Sequence, residues 1–479
     1  MSNKIITRFA PSPTGFLHVG GLRTALYNYL FAKKNNGQFL LRIEDTDQSR
    51  KVPGAVENLL STLNSVGLNY DNKKPLVQSE RLKIYQAHAQ KLVDESKAYF
   101  CFCAEERLET LRKVQQQKKQ PTRYDGKCRH LSAAEIKKLL QAKTPYVIRQ
   151  KMPARKLIEF TDLVRGKISI NSDVLDDQIL LKSDGFPTYH LAVVIDDHDM
   201  KITHVIRGEE WLPSTPKHLL LYEAFGWLPP KFAHLPLLLN PDKSKLSKRQ
   251  GDVAAEDYLA KGYLPEAILN FILLLGWNPG TNKEIFSMDE MIKEFSLEKI
   301  NKAGAIFNLE KLDWLNGCYI RQLKLDDLVA LSLRYLLAAK TITPKTDKNK
   351  IKAVVALEQE RLKKLSDLPE LVAYFFKDIK YDPELLVWKK QTRKTTAENL
   401  KKIVDFLEHI AESRYNKKDL ETEIIKFIKQ NNLGVGDILW PMRVSLCGQK
   451  NSPSPFEIAA VFGKKETLRR INTAIKMLS

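Results

Sequence analysis

The chain has 479 residues, enough for several compact units that each bury a core of their own. A formal net charge of +20 favours a polyanionic partner, and five cysteines point to a reducing compartment and away from a disulfide framework. No uninterrupted apolar run reaches the roughly 18 residues of a membrane span and no cleavable signal pattern is present, which excludes a membrane-embedded class and predicts a soluble, cytoplasmic protein.

In chain order, Lys4 to Phe9 reads as a short apolar strand and Pro11-Ser12-Pro13-Thr14-Gly15 as a turn, since two fixed φ angles and a glycine disfavour a continuing strand. A helix follows, with Leu22, Ala25, Leu26, Tyr29 and Leu30 at the helical period and Asn35-Asn36-Gly37 as the stop. A strand, a turn and a helix opening with His18-Val19-Gly20-Gly21 form a phosphate-binding geometry, because free amides and the positive helix end converge there. Glycines let a ligand approach the backbone. His18 adds a side-chain donor, although a histidine at a helix entrance is also an ordinary cap. Gln38 to Ile43 is the second strand of a right-handed βαβ unit, so ligands gather beyond its end, at Glu44-Asp45-Thr46-Asp47. Asp45 and Asp47 read as helix caps; Glu44 is the functional candidate.

From Ala98 the texture changes. Cys101 and Cys103 precede a lysine-rich helical stretch, then Cys128 and His130 follow, giving four ligands suited to tetrahedral, structural zinc. The alternative is three thiols clustered by chance with a surface histidine. Cys318 and Cys447 read as isolated buried thiols. Residues 160–181 look like strands and turns, with a basic turn at Arg165-Gly166-Lys167. Leu191 to Ile195 reads as a buried parallel strand, with Asp196 to Asp199 as a loop with caps at its end and Ile202 to Ile206 as the next strand. After the apolar run Leu235 to Leu239, Asp242 to Gly251 is a lysine-rich loop. Alone it is a solvated basic turn, but with the N-terminal turn it is able to fold over a triphosphate. Asp252 to Trp277 contains an amphipathic helix, ending at Asn278-Pro279-Gly280, and further helical segments follow to Leu315. From Leu323 the chain is nearly all helix, at 325–339, 350–376, 396–412 and 420–432, with basic polar faces that together suit RNA. A dehydrogenase is excluded, because no glycine fingerprint with a following acidic residue is present.

His18-Val19-Gly20-Gly21 and Lys245-Leu246-Ser247-Lys248-Arg249 resemble the two signatures of class I aminoacyl-tRNA synthetases. Arg8-Phe9-Ala10-Pro11-Ser12-Pro13-Thr14-Gly15 is similar to the form found in the bacterial-type glutamyl-tRNA synthetase family. The likeness runs on through Arg42 to Asp47, Gln78 to Arg81, Tyr189 to Ala192, Val205 to Trp211 and Ser452 to Glu457, so it covers essentially the whole chain. Gly21 replaces the histidine of the general class signature, as the glutamyl branch commonly does.

The resemblance implies an α/β class: a Rossmann-like, parallel-sheet catalytic domain with an α+β insertion, then an all-α anticodon-binding region. The expected parts are 1–98 and 183–255 for the catalytic domain, 99–182 for the insertion, 256–322 for a helical stem-contact domain and 323–479 for the anticodon-binding region. It implies ATP-dependent attachment of L-glutamate to tRNA(Glu), with Mg²⁺ as cofactor, by a monomer. His18, Lys245 and Lys248 would be catalytic, and Pro11, Gly20, Gly21, Leu246, Ser247 and Arg249 would bind ATP. Arg8, Ser12, Glu44, Tyr189 and Arg207 would line the amino-acid site, with Glu44 on the ammonium group. Arginine forks suit the two carboxylates of glutamate. Arg8 taken alone reads as a surface strand residue. The zinc site of Cys101, Cys103, Cys128 and His130 would lie in the insertion that meets the tRNA acceptor end, and Arg361 would touch the anticodon. The alternatives are a non-discriminating enzyme that also charges tRNA(Gln), a glutaminyl-tRNA synthetase, a truncated paralogue without an anticodon region, and an inactive RNA-binding descendant.

Overall fold

A computed structural model describes residues 4–246 and 254–479. The chain divides into two compact units, Met1–Leu259 with Pro265–Leu309, and Ala260–Leu264 with Glu310–Ser479.

The first unit begins with β1 (Ile6–Phe9), α1 (Val19–Lys34), β2 (Gln38–Ile43), α2 (Ala55–Ser65), β3 (Leu76–Val77) and α3 (Leu82–Asp94). Next come β4 (Ala98–Cys101), α4 (Glu105–Gln117), α5 (Ala133–Gln141), β5 (Val147–Gln150), β6 (Leu157–Asp162), β7 (Gly166–Asn171) and β8 (Ile179–Leu181). The chain then returns through α6 (Tyr189–Asp199), β9 (His204–Gly208), α7 (Thr215–Phe225), β10 (Lys231–Leu235) and β11 (Leu238–Leu239). It closes with α8 (Ala255–Ala260), α9 (Pro265–Leu274), α10 (Met288–Glu294) and β12 (Ala305–Ile306).

β1, β2 and β3 pair in parallel, as do β9 and β10, while β6 extends the second sheet and β7 hairpins onto it. Thr203, just ahead of β9, donates its N–H to the Ile6 carbonyl (2.9 Å). The spatial sequence is therefore β3-β2-β1-β9-β10, and it reverses direction between β1 and β9. A crevice at the carboxyl ends of those strands is where such sheets hold ligands. The antiparallel sheet β4-β5-β8 belongs to the segment inserted between the two halves.

α1 binds this framework together. Leu22, Leu26 and Leu30 are fully buried, each contributing about 1.5–3 kcal/mol of apolar burial. On its other side the Tyr27 hydroxyl donates to the carbonyls of Leu273 (2.9 Å) and Leu275 (3.1 Å) at the end of α9. The turn into β2 requires Gly37, since a Cβ there would lie 2.2 Å from the Ile5 carbonyl oxygen.

Two expected elements differ. Leu191 to Ile195 is not a strand but part of α6, buried on every side, and an unbroken apolar run carries no period to distinguish the two. The amphipathic helix expected within 252–277 is two helices, α8 and α9, with Gly262 at φ 83° between them; α9 buries seven consecutive residues, Asn270 among them, and so is buried all round. Asp252 lies outside the described residues.

The second unit is helical: α11 (Leu309–Gln322), α12 (Leu325–Ala338), α13 (Lys348–Glu358), α14 (Leu368–Val372), α15 (Arg393–Glu408), α16 (Lys417–Gln430), α17 (Val435–Cys447) and α18 (Pro455–Leu478). The helix expected over 350–376 breaks after Glu358 and resumes with Pro369 in the first turn of α14, where a missing N–H costs nothing. Ser454 and Glu457 form a capping box that starts α18, and Gly463 kinks it at φ 72°. Among the described residues, no helix is long and apolar enough to cross a membrane.

Candidate active site

Arg8 of β1, Glu44 beyond β2 and Arg207 of β9 meet at the crevice. With Ser12, Tyr189 and Trp211 they line a cavity of about 200 Å³, so all five residues assigned to an amino-acid site come together. Arg8, Glu44 and Arg207 are buried, and Arg8 is not the surface residue that its strand alone suggests.

The two arginines are balanced differently. Arg8 Nε donates to Asp197 Oδ1 (3.0 Å), and Arg42 Nη1 donates to the same oxygen (2.6 Å). Arg42 also donates through Nε (3.2 Å) and Nη2 (2.9 Å) to Glu44 Oε1. Burial pushes the Asp197 carboxyl up, but Arg42 and Arg8 outweigh it and hold the group below the usual carboxylate range. Burial raises Glu44 in spite of Arg42. Asp196 is bonded by the side chains of Gln78 (2.8 Å), Arg81 (2.9 Å) and Tyr85 (2.8 Å). Asp196 and Asp197 are thus buried ion-pair and hydrogen-bond partners in the last turns of α6, not the loop caps expected. Asp45 is a cap, but of a turn remote in sequence: it accepts the Ser79 N–H (2.8 Å).

Arg207 has no carboxylate partner among the described residues. Its donors go to His234 Nε2 (3.1 Å), the Tyr189 hydroxyl (3.0 Å), Thr215 Oγ1 (2.9 Å) and His218 Nδ1 (3.4 Å). These histidines, with Asp162 behind His234, were missed in the sequence because each stands alone without a spacing motif.

At the signature turn, His18 caps α1, and its Nδ1 accepts the Gly20 N–H (2.9 Å), which places the neutral ring's proton on Nε2. A Cβ on Gly21 would come within 3.0 Å of Leu17, so that glycine also serves the packing beneath the turn. Pro11 lies against the end of β2, its carbonyl accepting from Glu44 N–H (2.9 Å). The lysine-rich segment leaves and returns beside this turn. Leu246 N–H donates to Leu238 O (2.9 Å), Ala255 N–H to Leu17 O (2.8 Å), and Ala254 bridges to His18. Lys245 is exposed at its start; Ser247, Lys248 and Arg249 lie outside the described residues.

In the insertion, one ligand atom from each of Cys101, Cys103 and Cys128 falls within 4.8 Å of the others. The Cys103 and Cys128 sulfurs are 3.6 Å apart, near the about 3.8 Å expected between thiolates on one tetrahedral zinc. The donor set therefore fits zinc. His130 is exposed and outside this group. The Tyr124 hydroxyl sits there instead, 3.4 Å from Cys101 Sγ and 3.5 Å from Cys103 Sγ. Arg149 stacks on the Tyr124 ring (4.1 Å to the centroid), and both line a cleft of about 510 Å³ that reaches Tyr189 and Trp211. Cys447 is buried as expected, whereas Cys318 is half-buried.

Comparison with known proteins agrees with this fold. Residues 4–314 match the family described as tRNA synthetases class I (E and Q), catalytic domain, and residues 327–475 match an anticodon binding domain. Fold and site define a class I aminoacyl-tRNA synthetase of the glutamate and glutamine group. A glutamate–tRNA ligase of Clostridium tetani is 47% identical over 99% of this chain and 98% of its own, and one of Chlorobaculum parvum is likewise 47% identical, with the same coverage. The crystal structure of a glutamate tRNA ligase from Elizabethkingia meningosepticum, in complex with its amino acid, superposes with TM-score 0.89 at 40% identity over the whole of both chains. The chain belongs to the glutamate–tRNA ligases.

Proposed function

We propose that the glutamate–tRNA ligase reaction runs in the crevice between β1 and β9, with glutamate in the cavity of Arg8, Glu44 and Arg207 and ATP at the signature turn. The observation that carries this reading is the charge balance. Arg8 and Arg42 are offset by Asp197, Glu44 and Asp196, while Arg207 forms no ion pair with a carboxylate among the described residues; a glutamate with two carboxylates and one ammonium brings the missing negative charge. Glu44 receives the ammonium, helped by the fact that both Arg42 bonds fall on Oε1. Ser12 and Tyr189 complete the wall.

The glutamate carboxylate attacks the α-phosphorus of ATP and pyrophosphate leaves. A terminal ribose hydroxyl of tRNA then attacks the acyl carbon and releases AMP. Such chemistry is mostly positioning and neutralisation of spreading charge. His18 Nε2–H and the Gly21 amide bind the α-phosphate, while the Gly20 N–H holds the His18 ring in place and its missing side chain lets the phosphate approach the backbone. Pro11, Leu246, Ser247 and Arg249 hold the nucleotide, and Lys245 and Lys248 neutralise the leaving pyrophosphate, with Mg²⁺ as counter-ion. The cleft beneath Tyr124 and Arg149 takes the tRNA 3′ end, and Cys101, Cys103 and Cys128 would hold a structural zinc, with the Tyr124 hydroxyl beside two of the sulfurs. Residues 99–182 meet the acceptor end, 256–322 the stem and 323–479 the anticodon, with exposed Arg361 as one contact. One chain supplies every site residue, which supports a monomer, and its five free cysteines suit the cytoplasm.

ATP–pyrophosphate exchange, measured with tRNA present, tests the site. Arg207→Ala is expected to raise the KM for glutamate at least about tenfold and leave that for ATP nearly unchanged. Lys248→Ala is expected to depress adenylate formation far more than glutamate binding, and a comparable loss in both would contradict the role given to it. Charging purified tRNA(Glu) and tRNA(Gln) with labelled glutamate tells a discriminating enzyme from a non-discriminating one.

A further inference from the structure

We propose that His234 and His218 are positioning residues for Arg207: two neutral imidazoles that fix its guanidinium yet leave its charge for the substrate. This rests on the reading of Arg207 as a carboxylate receptor.

A guanidinium has donors only, so the nitrogens it reaches, His234 Nε2 (3.1 Å) and His218 Nδ1 (3.4 Å), carry no proton. The protons must sit on the opposite ring nitrogens, and each of these faces an acceptor. His234 Nδ1 lies 2.6 Å from Asp162 Oδ2, and His218 Nε2 lies 3.0 Å from His190 Nδ1. Asp162 is itself fixed, because Oδ1 accepts the N–H groups of Val164 (3.0 Å) and Arg165 (2.8 Å) at the β6–β7 turn. Burial lowers the basicity of both imidazoles, consistent with neutral rings.

The arrangement answers a physical conflict. Arg207 is only 5% exposed and needs its donors satisfied, but a carboxylate in contact with it would compete with glutamate. Placing the acid one imidazole away, as Asp162 behind His234, orients the arginine without cancelling it. The chain Asp162–His234–Arg207–His218–His190 runs through β6, β10, β9, α7 and α6, so the sheet and two helices together set the angle of one guanidinium.

The test uses a crossed pattern in the full-length enzyme. Asparagine puts its amide where Nδ1 stood, glutamine where Nε2 stood. His234→Gln therefore keeps an acceptor for Arg207 and His234→Asn loses it, whereas at 218 asparagine keeps it and glutamine loses it. H234N and H218Q are expected to raise the KM for glutamate about tenfold, and H234Q and H218N by less than about threefold. The KM for ATP and kcat at saturating glutamate should move by less than about threefold in all four. Equal effects of the two substitutions at each position would overturn the proposal. Arg207→Ala in the same assay separates the two readings: an unchanged KM for glutamate removes Arg207 as receptor, whereas a raised KM without the crossed pattern removes only the histidines' role. Nitrogen-15 NMR of histidine-labelled native enzyme needs no substitution. Unprotonated Nε2 at 234 and Nδ1 at 218 support the inference, and the opposite tautomers or protonated rings defeat it.

Discussion

Asp197 accepts from Arg8 and Arg42 at once, so replacing it strands the buried Arg8 and leaves Arg42 to Glu44 and the more distant Asp196. Asp197→Asn is expected to destabilise the fold by about 3–5 kcal/mol, the cost of breaking a buried ion pair, seen as a lower urea midpoint. The thiol cluster offers a second check at this scale. Tyr124 reaches two sulfurs with its hydroxyl, so Tyr124→Phe should lower zinc content by elemental analysis more than His130→Ala does. Equal retention in both variants would leave the metal to the three thiols. That Glu44 and Arg207 face one cavity was legible because each lies at the end of an apolar strand, where an α/β sheet places ligands. Tyr124 was not, since a tyrosine four residues before a cysteine carries no signal of its own.

At the scale of elements, helix ends and strand ends were read more reliably than buried interiors. α1 and β2 fall where periodicity and the Asn35-Asn36-Gly37 stop put them, whereas α6 was mistaken for a strand and carried Asp196 and Asp197 with it. In the second unit, Glu358 ends α13 buried at 1% exposure, and burial, only partly offset by Arg361, raises its carboxyl to about 6 from 4.5. Its folded-state pKa lies above the unfolded value, so its contribution to stability is full below about pH 4.5 and is lost as pH rises through about 6. Glu358→Gln cannot ionise. It is expected to exceed the native protein in stability by up to about 2 kcal/mol at pH 7.5, and the two should converge near pH 4.5 in urea melts. A less stable variant at pH 7.5 would mean that the Arg361 pair outweighs the burial.

For the whole molecule, the excess of +20 charges and the cavity of buried ions respond differently to salt. Phosphate contacts release counterions, so the KM for tRNA should rise at least about tenfold between 50 and 200 mM salt. In the proposed site glutamate meets charges shielded from solvent, and its KM should change by less than about twofold over the same range. A parallel rise in both would place the amino-acid site in bulk solvent and contradict the burial of Arg8 and Arg207.

The sequence by itself determined the class, the signature turn, the lysine-rich segment and the helical C-terminal half, because these are written in local chemistry: turn residues, spacing and period. Tertiary structure alone decided the charge balance around Arg8 and Arg207. Asp197, His218 and His234 come from two helices and a strand, and only folding brings them within hydrogen-bonding distance of Arg8 or Arg207, with Asp162 of the hairpin behind His234. A charge has no fixed meaning along a chain; its worth depends on which opposite charge burial sets beside it.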